Sequence, residues 1–369
     1  MTPLDIIHTE SSLGWGGQEI RILTEARGML ERGHRVRLLC PGNARIHQEA
    51  ARFGVACEAL PIGRKNLRGL AAMIGWIRSR RNDIGRGVFN SHSSTDSWLV
   101  ALAQQALGRP FPLVRTRHIS APVVRNRLTR WLYANASARV VTTGEALRKT
   151  LIEDLGIAPA RITSLPTGID TALFVPGSRS QARERLGLPK DKLLVGIVAT
   201  LRSWKGHRYL IEACATLPVG LVMVGDGPQK QALDALVHAN GMGDRVWTPG
   251  NQADVVPWLQ SLDVFALPSY ANEGVPQALI QAMLVGLPCV TTHAGSIAEL
   301  AIHDQTALVV PAQDVGALRE GIERLAADEA LRMRLGNAAR KHCLARFSLG
   351  RMLDGMEEVF EQALADVRK

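Results

Sequence analysis

The chain has 369 residues, 46% of them apolar, and a formal net charge of +10, which is enough for two domains with their own cores. Its five cysteines (Cys40, Cys57, Cys214, Cys289, Cys343) are widely spaced with no C-x-x-C, which argues against a zinc site or a disulfide framework and suits a reducing cytoplasm. Residues 1–170 hold 24 Lys+Arg against 13 Asp+Glu, and residues 171–369 hold 20 against 21, so a membrane face, nucleic acid or other anionic partner belongs to the first half.

Apolar runs alternating with amphipathic segments predict an α/β protein with mainly parallel sheets. The first ten residues lack a basic segment followed by an apolar one, so no secretory leader is expected. Leu4–His8 reads as a strand, 9–18 as a loop and about 19–32 as a helix. Its face of Ile20, Leu23, Thr24, Arg27 and Leu30 is only partly apolar. The loop carries Gly14-Trp-Gly-Gly-Gln-Glu19, and glycines before a helix allow close approach of a phosphate. Arg35–Cys40 is the next strand. Residues 64–86 read as a helix with Leu67, Leu70, Ala71, Ile74 and Ile77 on one stripe, surrounded by six basic side chains. Residues 123–133 are a second basic, amphipathic segment. A solvated face explains both most simply; contact with anionic lipid is the sharper reading. Short strands lead to Asn90-Ser-His92, to His118 and, through 139–143, to Gly144-Glu145. Residues 159–176, rich in Pro and Gly, read as an interdomain crossing.

The second half opens on Leu193–Leu201, a buried strand by pattern. Arg202-Ser-Trp-Lys205-Gly206 and a helix from about His207 follow. Together they suit a diphosphate: arginine offers a rigid fork and lysine a point charge. Gly220–Pro228 is a strand ending in a glycine turn that includes Gly227. The loop Asn251–Asp254 precedes a helix near 255–262. Val264–Pro268 is a strand that delivers Ser269–Pro288. There Pro276 suits a first helical position, and Gly286 and Pro288 stop the helix. Glu273 then sits on a loop at the helix mouth, and Gln281 about two turns inside. Cys289–Thr292 and Thr306–Pro311 are the last strands, and helices fill about 314–327, 329–346 and 349–367. The uncharged stretch 274–298 is long enough to span a bilayer, but Gln277, Gln281, Pro288 and His293 break it into helix, turn and strand. No Asp-x-Asp stands anywhere in the chain.

Glu273, seven intervening residues, Gln281 and then A-M-x-x-G-x-P resemble the E-x7-E signature of the retaining, glycogen-synthase-like group 1 glycosyltransferases. Gln281 replaces the second glutamate, which in that family holds the donor ribose. Gln can still donate and accept hydrogen bonds but carries no charge. Gly16, Gly17 and Glu19 resemble the family's G-G-x-E element. Arg202, Lys205 and Gly206 match its R-x-x-K-G. Pro166, Gly168, Asp170 and Phe174 match its hinge segment, with Thr167 for the usual Asn. Gly295 to Glu299 resembles G-G-x-P-E, with Ser296 and Ala298 as departures.

The resemblance implies two Rossmann-like domains facing a cleft, the GT-B fold. It places an acceptor-binding domain at 1–168, a nucleotide-sugar-binding domain at 169–347 and a helix crossing back at 348–369. It implies transfer of a sugar, with a UDP-sugar favoured, to a cell-surface glycan or lipid-linked acceptor with retention, as in lipopolysaccharide biosynthesis. Catalytic roles fall to Glu273, Arg202, Lys205 and His118. Donor contacts fall to Gly16, Gly17, Arg202, Lys205, Gly227, Asn251, Glu273, Gly274, Val275, Pro276 and Gln281. Acceptor contacts fall to Glu19, His92 and His118. No cofactor and no metal are expected, because Arg202 and Lys205 can neutralise the diphosphate. A cytoplasmic protein peripheral on the inner face of a membrane is expected, with no nucleic acid as partner. The alternatives are a GT-B nucleotide-sugar epimerase, which would consume donor without acceptor, and a non-catalytic basic binding protein.

Overall fold

A computed structural model describes residues 2–118 and 122–367. The chain divides into two compact units, Met1–Gly168 with Leu349–Lys369, and Ile169–Ser348.

The first unit is built on seven parallel strands: β1 (Asp5–Thr9), β2 (Arg35–Cys40), β3 (Ala56–Ala59), β4 (Gly87–Ser91), β5 (Leu113–Arg117), β6 (Arg139–Thr142) and β7 (Ile162–Ser164). Their order is β3-β2-β1-β4-β5-β6-β7. Side chains alternate across a strand, and two cores result. Ile6, Leu38, Val88, Val114 and Val141 face one way, toward Ile22, Leu23, Ala26, Met356 and Phe360. Ile7, Leu39, Phe89, Leu113 and Val140 face the other, toward Met73, Trp76, Leu99 and Leu151. Each such fully buried side chain contributes about 1.5–3 kcal/mol. The helix Leu349–Val367 packs on the helix Gly17–Glu31, and a Cβ at Gly28 would lie 2.4 Å from Leu353 Cδ1.

Local expectations shift in several places. The helix Gly17–Glu31 buries Ile22, Leu23, Ala26 and Met29, and with them Glu19, Arg21 and Glu25; Ile20 is only half-buried. The basic helix is Leu67–Arg80, and it buries Gly69, Met73, Trp76 and Ile77. Its expected stripe is rotated, leaving Leu67 84% exposed. The segment read as a crossing contains β7, which adds an edge strand to the sheet.

The second unit has six parallel strands: β8 (Leu194–Val198), β9 (Gly220–Val224), β10 (Val246–Gly250), β11 (Val264–Leu267), β12 (Cys289–Thr291) and β13 (Leu308–Val309), in the order β10-β9-β8-β11-β12-β13. The strand expected over 306–311 is only β13, because Thr306 turns back to cap Ile302 N and Leu300 O. One core of aliphatic strand and helix residues fills the unit. Among the described residues no helix is long and apolar enough to cross a membrane.

In both units the chain winds outward from a central strand and then returns to its other side. β1 is followed outward by β2 and β3, and β4 then pairs with β1. β8, β9, β10 and β11 repeat the pattern. Each reversal leaves a crevice at the carboxyl ends of the strands, where open parallel sheets bind ligands.

Candidate active site at two switch points

In the second unit the crevice lies between the loops that follow β8 and β11. The β8 loop makes a single tight turn, Ser203–Lys205, and continues into the helix His207–Cys214 through Gly206 at φ +79. A Cβ on Gly206 would lie 2.1 Å from Pro268 O, so glycine is required both for the left-handed backbone and for the close approach to the β11 loop. Tyr270 N donates to Trp204 O at 2.9 Å, which ties the two loops together. Lys205 Nζ donates to Glu273 Oε1 at 2.7 Å, and Ser269 Oγ donates to the same oxygen at 2.6 Å. Glu273 is buried while Lys205 is half-buried. Asn272 precedes Glu273 at φ +59, a left-handed turn that asparagine tolerates better than most residues.

Arg202 is exposed, its guanidinium 5.2 Å from the Trp204 ring centre. Gly227 packs so closely on Leu201 that a Cβ would lie 2.7 Å from Leu201 O, and Gly295 packs likewise on Glu273 O at 1.9 Å. The loops after four strands thus converge on one edge of the sheet. Gly274, Val275 and Pro276 are buried. Pro276 is the N-cap of the helix Gln277–Leu284, one position earlier than expected, with extended backbone at φ −74 and ψ 125. The helix therefore starts at Gln277, and Gln281 lies little more than one turn inside it, half-buried, not two turns deep. Asn251 is exposed just beyond β10.

The first unit's crevice has different chemistry. Gly16 is the N-cap of the helix Gly17–Glu31, and Glu19 is buried in its first turn. Glu10, buried after β1, accepts from Ser12 N at 2.7 Å, and from Ser93 Oγ and Gln18 Nε2. Asp96, in the first turn of the helix Ser94–Ala106, accepts from Thr9 Oγ1, Ser11 Oγ, His92 N and Ser93 N at 2.9–3.1 Å. Burial pushes the Glu10 carboxyl up to about 8, with the nearby Asp96 adding to the effect. Burial raises Asp96 to about 6.

His92 and His118 belong to a series. His8 Nδ1 and His92 Nε2 are 2.9 Å apart, and so are His92 Nδ1 and His118 Nε2. The His8 and His92 rings stack at a centroid separation of 5.2 Å, and the His92 and His118 rings are tilted by 33° at 5.1 Å. Burial holds His8 down at about 3 and keeps His92 and His118 well below the ordinary histidine range.

The structure therefore brings Arg202, Lys205, Gly227, Glu273, Gly274, Val275 and Pro276 to one crevice, and Gly16, Gly17, Glu19, His92 and His118 to the carboxyl edge of the other sheet. Sequence reasoning missed His8, Glu10, Arg21, Glu25 and Asp96. One signal was available for Arg21 and Glu25: opposite charges four residues apart on the apolar face of a helix.

Two parallel-sheet units, with a basic loop and a carboxylate at the switch point of the second, are the arrangement expected of a two-domain glycosyltransferase of the GT-B class. Residues 178–342 match the family described as Glycosyl transferases group 1, and residues 15–173 match Glycosyltransferase Family 4. A D-inositol 3-phosphate glycosyltransferase of Salinispora arenicola (strain CNS-205) is 31% identical over 314 residues, 75% of this chain and 69% of the relative. One from Xylanimonas cellulosilytica is 27% identical over 394 residues, 94% of this chain and 92% of the relative. Among solved structures, Anabaena Alr3699/HepE in complex with UDP-glucose superposes with a TM-score of 0.86 at 20% identity, over 97% of this chain and 99% of that one. The chain belongs to the group 1, family 4 glycosyltransferases, a retaining family.

Proposed function

We propose that the protein transfers a sugar from a UDP-sugar to a hydroxyl of a cell-surface glycan or lipid-linked acceptor, as in lipopolysaccharide or related polysaccharide biosynthesis, without a metal ion. The observation that carries the donor half is the 2.7 Å pair of Lys205 and Glu273 at the switch point of the second unit. It sets a cation for a diphosphate beside an acceptor group for sugar hydroxyls. UDP-glucose in the Anabaena structure supports the choice of nucleotide.

In this reading Arg202 and Lys205 stabilise the departing diphosphate as its charge develops. Glu273 orients the sugar through its hydroxyls, and Gln281 takes the ribose. Gly16, Gly17, Gly227, Asn251, Gly274, Val275 and Pro276 supply close backbone around the donor. His118 serves the reacting sugar, and Glu19, His92 and His118 serve the acceptor. The first unit is the acceptor unit and the second the donor unit, and the helix from residue 349 completes the first.

The relatives' name specifies an acceptor that carries a phosphate. In the first unit Glu10 and Asp96 are fully buried and held by protein donors, and burial raises both carboxyls, so this pair supplies no surface charge that would select for or against a phosphate on the acceptor. Attachment to an anionic membrane rests on a separate surface. Leu67, Leu70, Trp98, Leu99 and Leu102 line a groove of about 360 Å³ with Lys65. Trp98 stacks on Trp131 at 5.9 Å, so the two basic segments, with exposed Val124 and Leu128 beside Arg125 and Arg127, share one face.

The deciding experiment is thermal unfolding with UDP, GDP, ADP and CMP, each in EDTA and again with magnesium, for wild type and Arg202→Ala. A ligand at about 100 times its Kd adds roughly 2.7 kcal/mol. A shift with UDP alone, lost in the variant, is expected. A shift that requires magnesium, or one with another nucleotide only, overturns the metal or the donor assignment.

A further inference from the structure

The first unit holds a buried ionisable group that the proposed chemistry does not use. Glu25 lies in the middle of the helix Gly17–Glu31 and is fully buried. Asn90 Nδ2, from β4, donates to its Oε1 at 3.1 Å. Arg21, one turn earlier on the same helix, approaches Oε2 at 3.7 Å, while Arg21 Nη1 is spent on Leu165 O at 2.8 Å and Thr167 Oγ1 at 3.2 Å. His8 Nε2, from β1, stands 4.0 Å from Glu25 Oε1 and has no hydrogen-bond partner of its own. The final helix, packed on the same helix, adds apolar Met352, Leu353, Met356 and Phe360 to this core. Farther along the series, Arg115 and Arg117 act on the histidines from β5.

Glu25 therefore stands at the inner end of the His8–His92–His118 series, and His118 stands at the outer end, half-buried, just past the carboxyl end of β5. A neutral imidazole carries one N–H and one lone pair. In a series joined Nδ1 to Nε2, only two neutral arrangements keep both hydrogen bonds. In one, every ring is protonated at Nε2: His118 donates to His92, His92 donates to His8, and the His8 N–H points at Glu25. In the other, every ring is protonated at Nδ1, and each bond runs outward from His8 to His118. A mixed arrangement would put two N–H groups, or two lone pairs, against each other at 2.9 Å in a buried site, which costs the full desolvation of a polar group.

We propose that Glu25 is a positioning residue for sugar transfer: acting through His8 and His92, it fixes which ring nitrogen of His118 carries the proton. An ionised Glu25 favours the His8 N–H that faces it across 4.0 Å of buried space. The whole series then points inward, and His118 Nδ1 offers a lone pair that accepts from a hydroxyl. A protonated Glu25 loses that attraction and can turn its own O–H toward the His8 Nε2 lone pair; the series then reverses, and His118 Nδ1 becomes a donor. No histidine gains a net proton in either state. Burial supports this picture twice: it keeps all three rings neutral, and it raises Glu25 to about 7 against the pull of Arg21 and Asn90. A tautomer set by the partner of the other nitrogen is the ordinary way an imidazole is given its role; here the partner is two rings away.

The consequence for transfer rests on the reading of His118 as serving the reacting sugar, and the two are separable. Nitrogen-15 spectra of histidine-labelled wild type report which nitrogen of each ring is protonated. Between about pH 8.5 and about pH 5.5, a range that spans the usual histidine titration, the His118 proton is expected to move from Nε2 to Nδ1, with no doubly protonated ring. Glu25→Gln, nearly isosteric, should hold one tautomer over the same range, and the limb of kcat/KM centred near the Glu25 transition should vanish with it. A wild-type His118 tautomer that stays fixed across the range overturns the proposal and needs no variant to fold. So does a pH-dependent tautomer, or a kcat/KM limb, that persists in Glu25→Gln. Unchanged turnover in His118→Ala would instead remove the role of His118 and leave the tautomer result standing.

Discussion

The two switch points are built on the same winding of parallel strands and hold opposite chemistry. In the second unit the crevice carries Arg202 and Lys205 with a single carboxylate, Glu273, already paired to the lysine at 2.7 Å. In the first it carries Glu10 and Asp96, hydroxyl groups and three neutral histidines, while that unit's part of the sequence holds all of the excess positive charge. Most basic residues of the first unit are therefore on its surface; Arg21 is buried among partners, and Arg115 and Arg117 on β5 stand beside the histidines of the crevice. Net charge by half gives the partner of a surface; the crevice is governed by the few residues that end the central strands.

The sharpest way to break the comparison is to remove the carboxylate from the basic crevice. Glu273→Ala should lower turnover by roughly 10²-fold or more, and it leaves Lys205 without its partner. Arg202→Ala should cost a comparable factor, and it should also lose the stabilisation by UDP. Turnover within twofold of wild type in a folded Glu273→Ala variant would show that the pair is structural only.

Next in size is the loop that brings the pair together. Gly206→Ala puts a methyl group 2.1 Å from Pro268 O on a left-handed backbone. The loops must separate, at about 1–3 kcal/mol for the strained backbone alone, and the distance from Lys205 to Glu273 opens. A lower Tm and weaker UDP binding are expected together. Gly33→Ala, at φ +85 but with nothing within 4 Å of the new Cβ, should lower Tm without changing UDP binding.

The acidic crevice is distinguished by pH. Glu10 is raised from 4.5 to about 8, so the folded state keeps a proton that the unfolded state gives up. Stability from this group is full below about pH 4.5 and is lost as pH rises toward 8. Asp96 and Glu25, raised to about 6 and about 7, act in the same sense over narrower windows. The neutral histidines act oppositely: with His8 held at about 3 against 6.5, stability rises with pH between those values. Above pH 6.5 only the carboxylates remain, so Tm should fall from there to about pH 8. Glu10→Gln should flatten that fall. A wild-type Tm that rises over the interval would contradict the raised carboxyl.

Much of this was legible in the sequence because strands buried on both faces are short apolar runs and each donor-side loop follows one. Arg202, Lys205 and Glu273 were found because each lies on a loop that follows a buried strand and stands in a motif that resembles the family's. The rest was hidden by packing. Leu67 sits on the periodic stripe of its segment, yet Met73 and Trp76 enter the core and Gly69 packs on Pro61 and Leu99, and only the approach angle of the helix decides between them. β7 is too short to show alternation within a Pro-rich segment. His8, Glu10, Arg21, Glu25 and Asp96 come from β1 and three separate loops or helices, and their partners lie up to 146 positions away. Spacing along the chain carries no record of such pairs, and a buried carboxylate looks in the sequence like any surface charge.

The smallest expected effect concerns the departure at Gln281. It lies half-buried a little beyond the first turn of the helix Gln277–Leu284, and the proposed role there is a hydrogen bond to a ribose diol. A neutral hydrogen bond contributes about 0.5–1.5 kcal/mol and a charged one about 1.5–3 kcal/mol. Gln281→Glu should therefore lower KM for the donor by roughly fivefold, for about 1 kcal/mol of added binding, while kcat stays near its wild-type value. The split matters more than the size. Binding that is equal in the ground and transition states moves KM alone, so a change in kcat would place Gln281 nearer the reacting sugar than the ribose. A KM that rises would show a carboxylate facing phosphate, and the ribose assignment would fall with it.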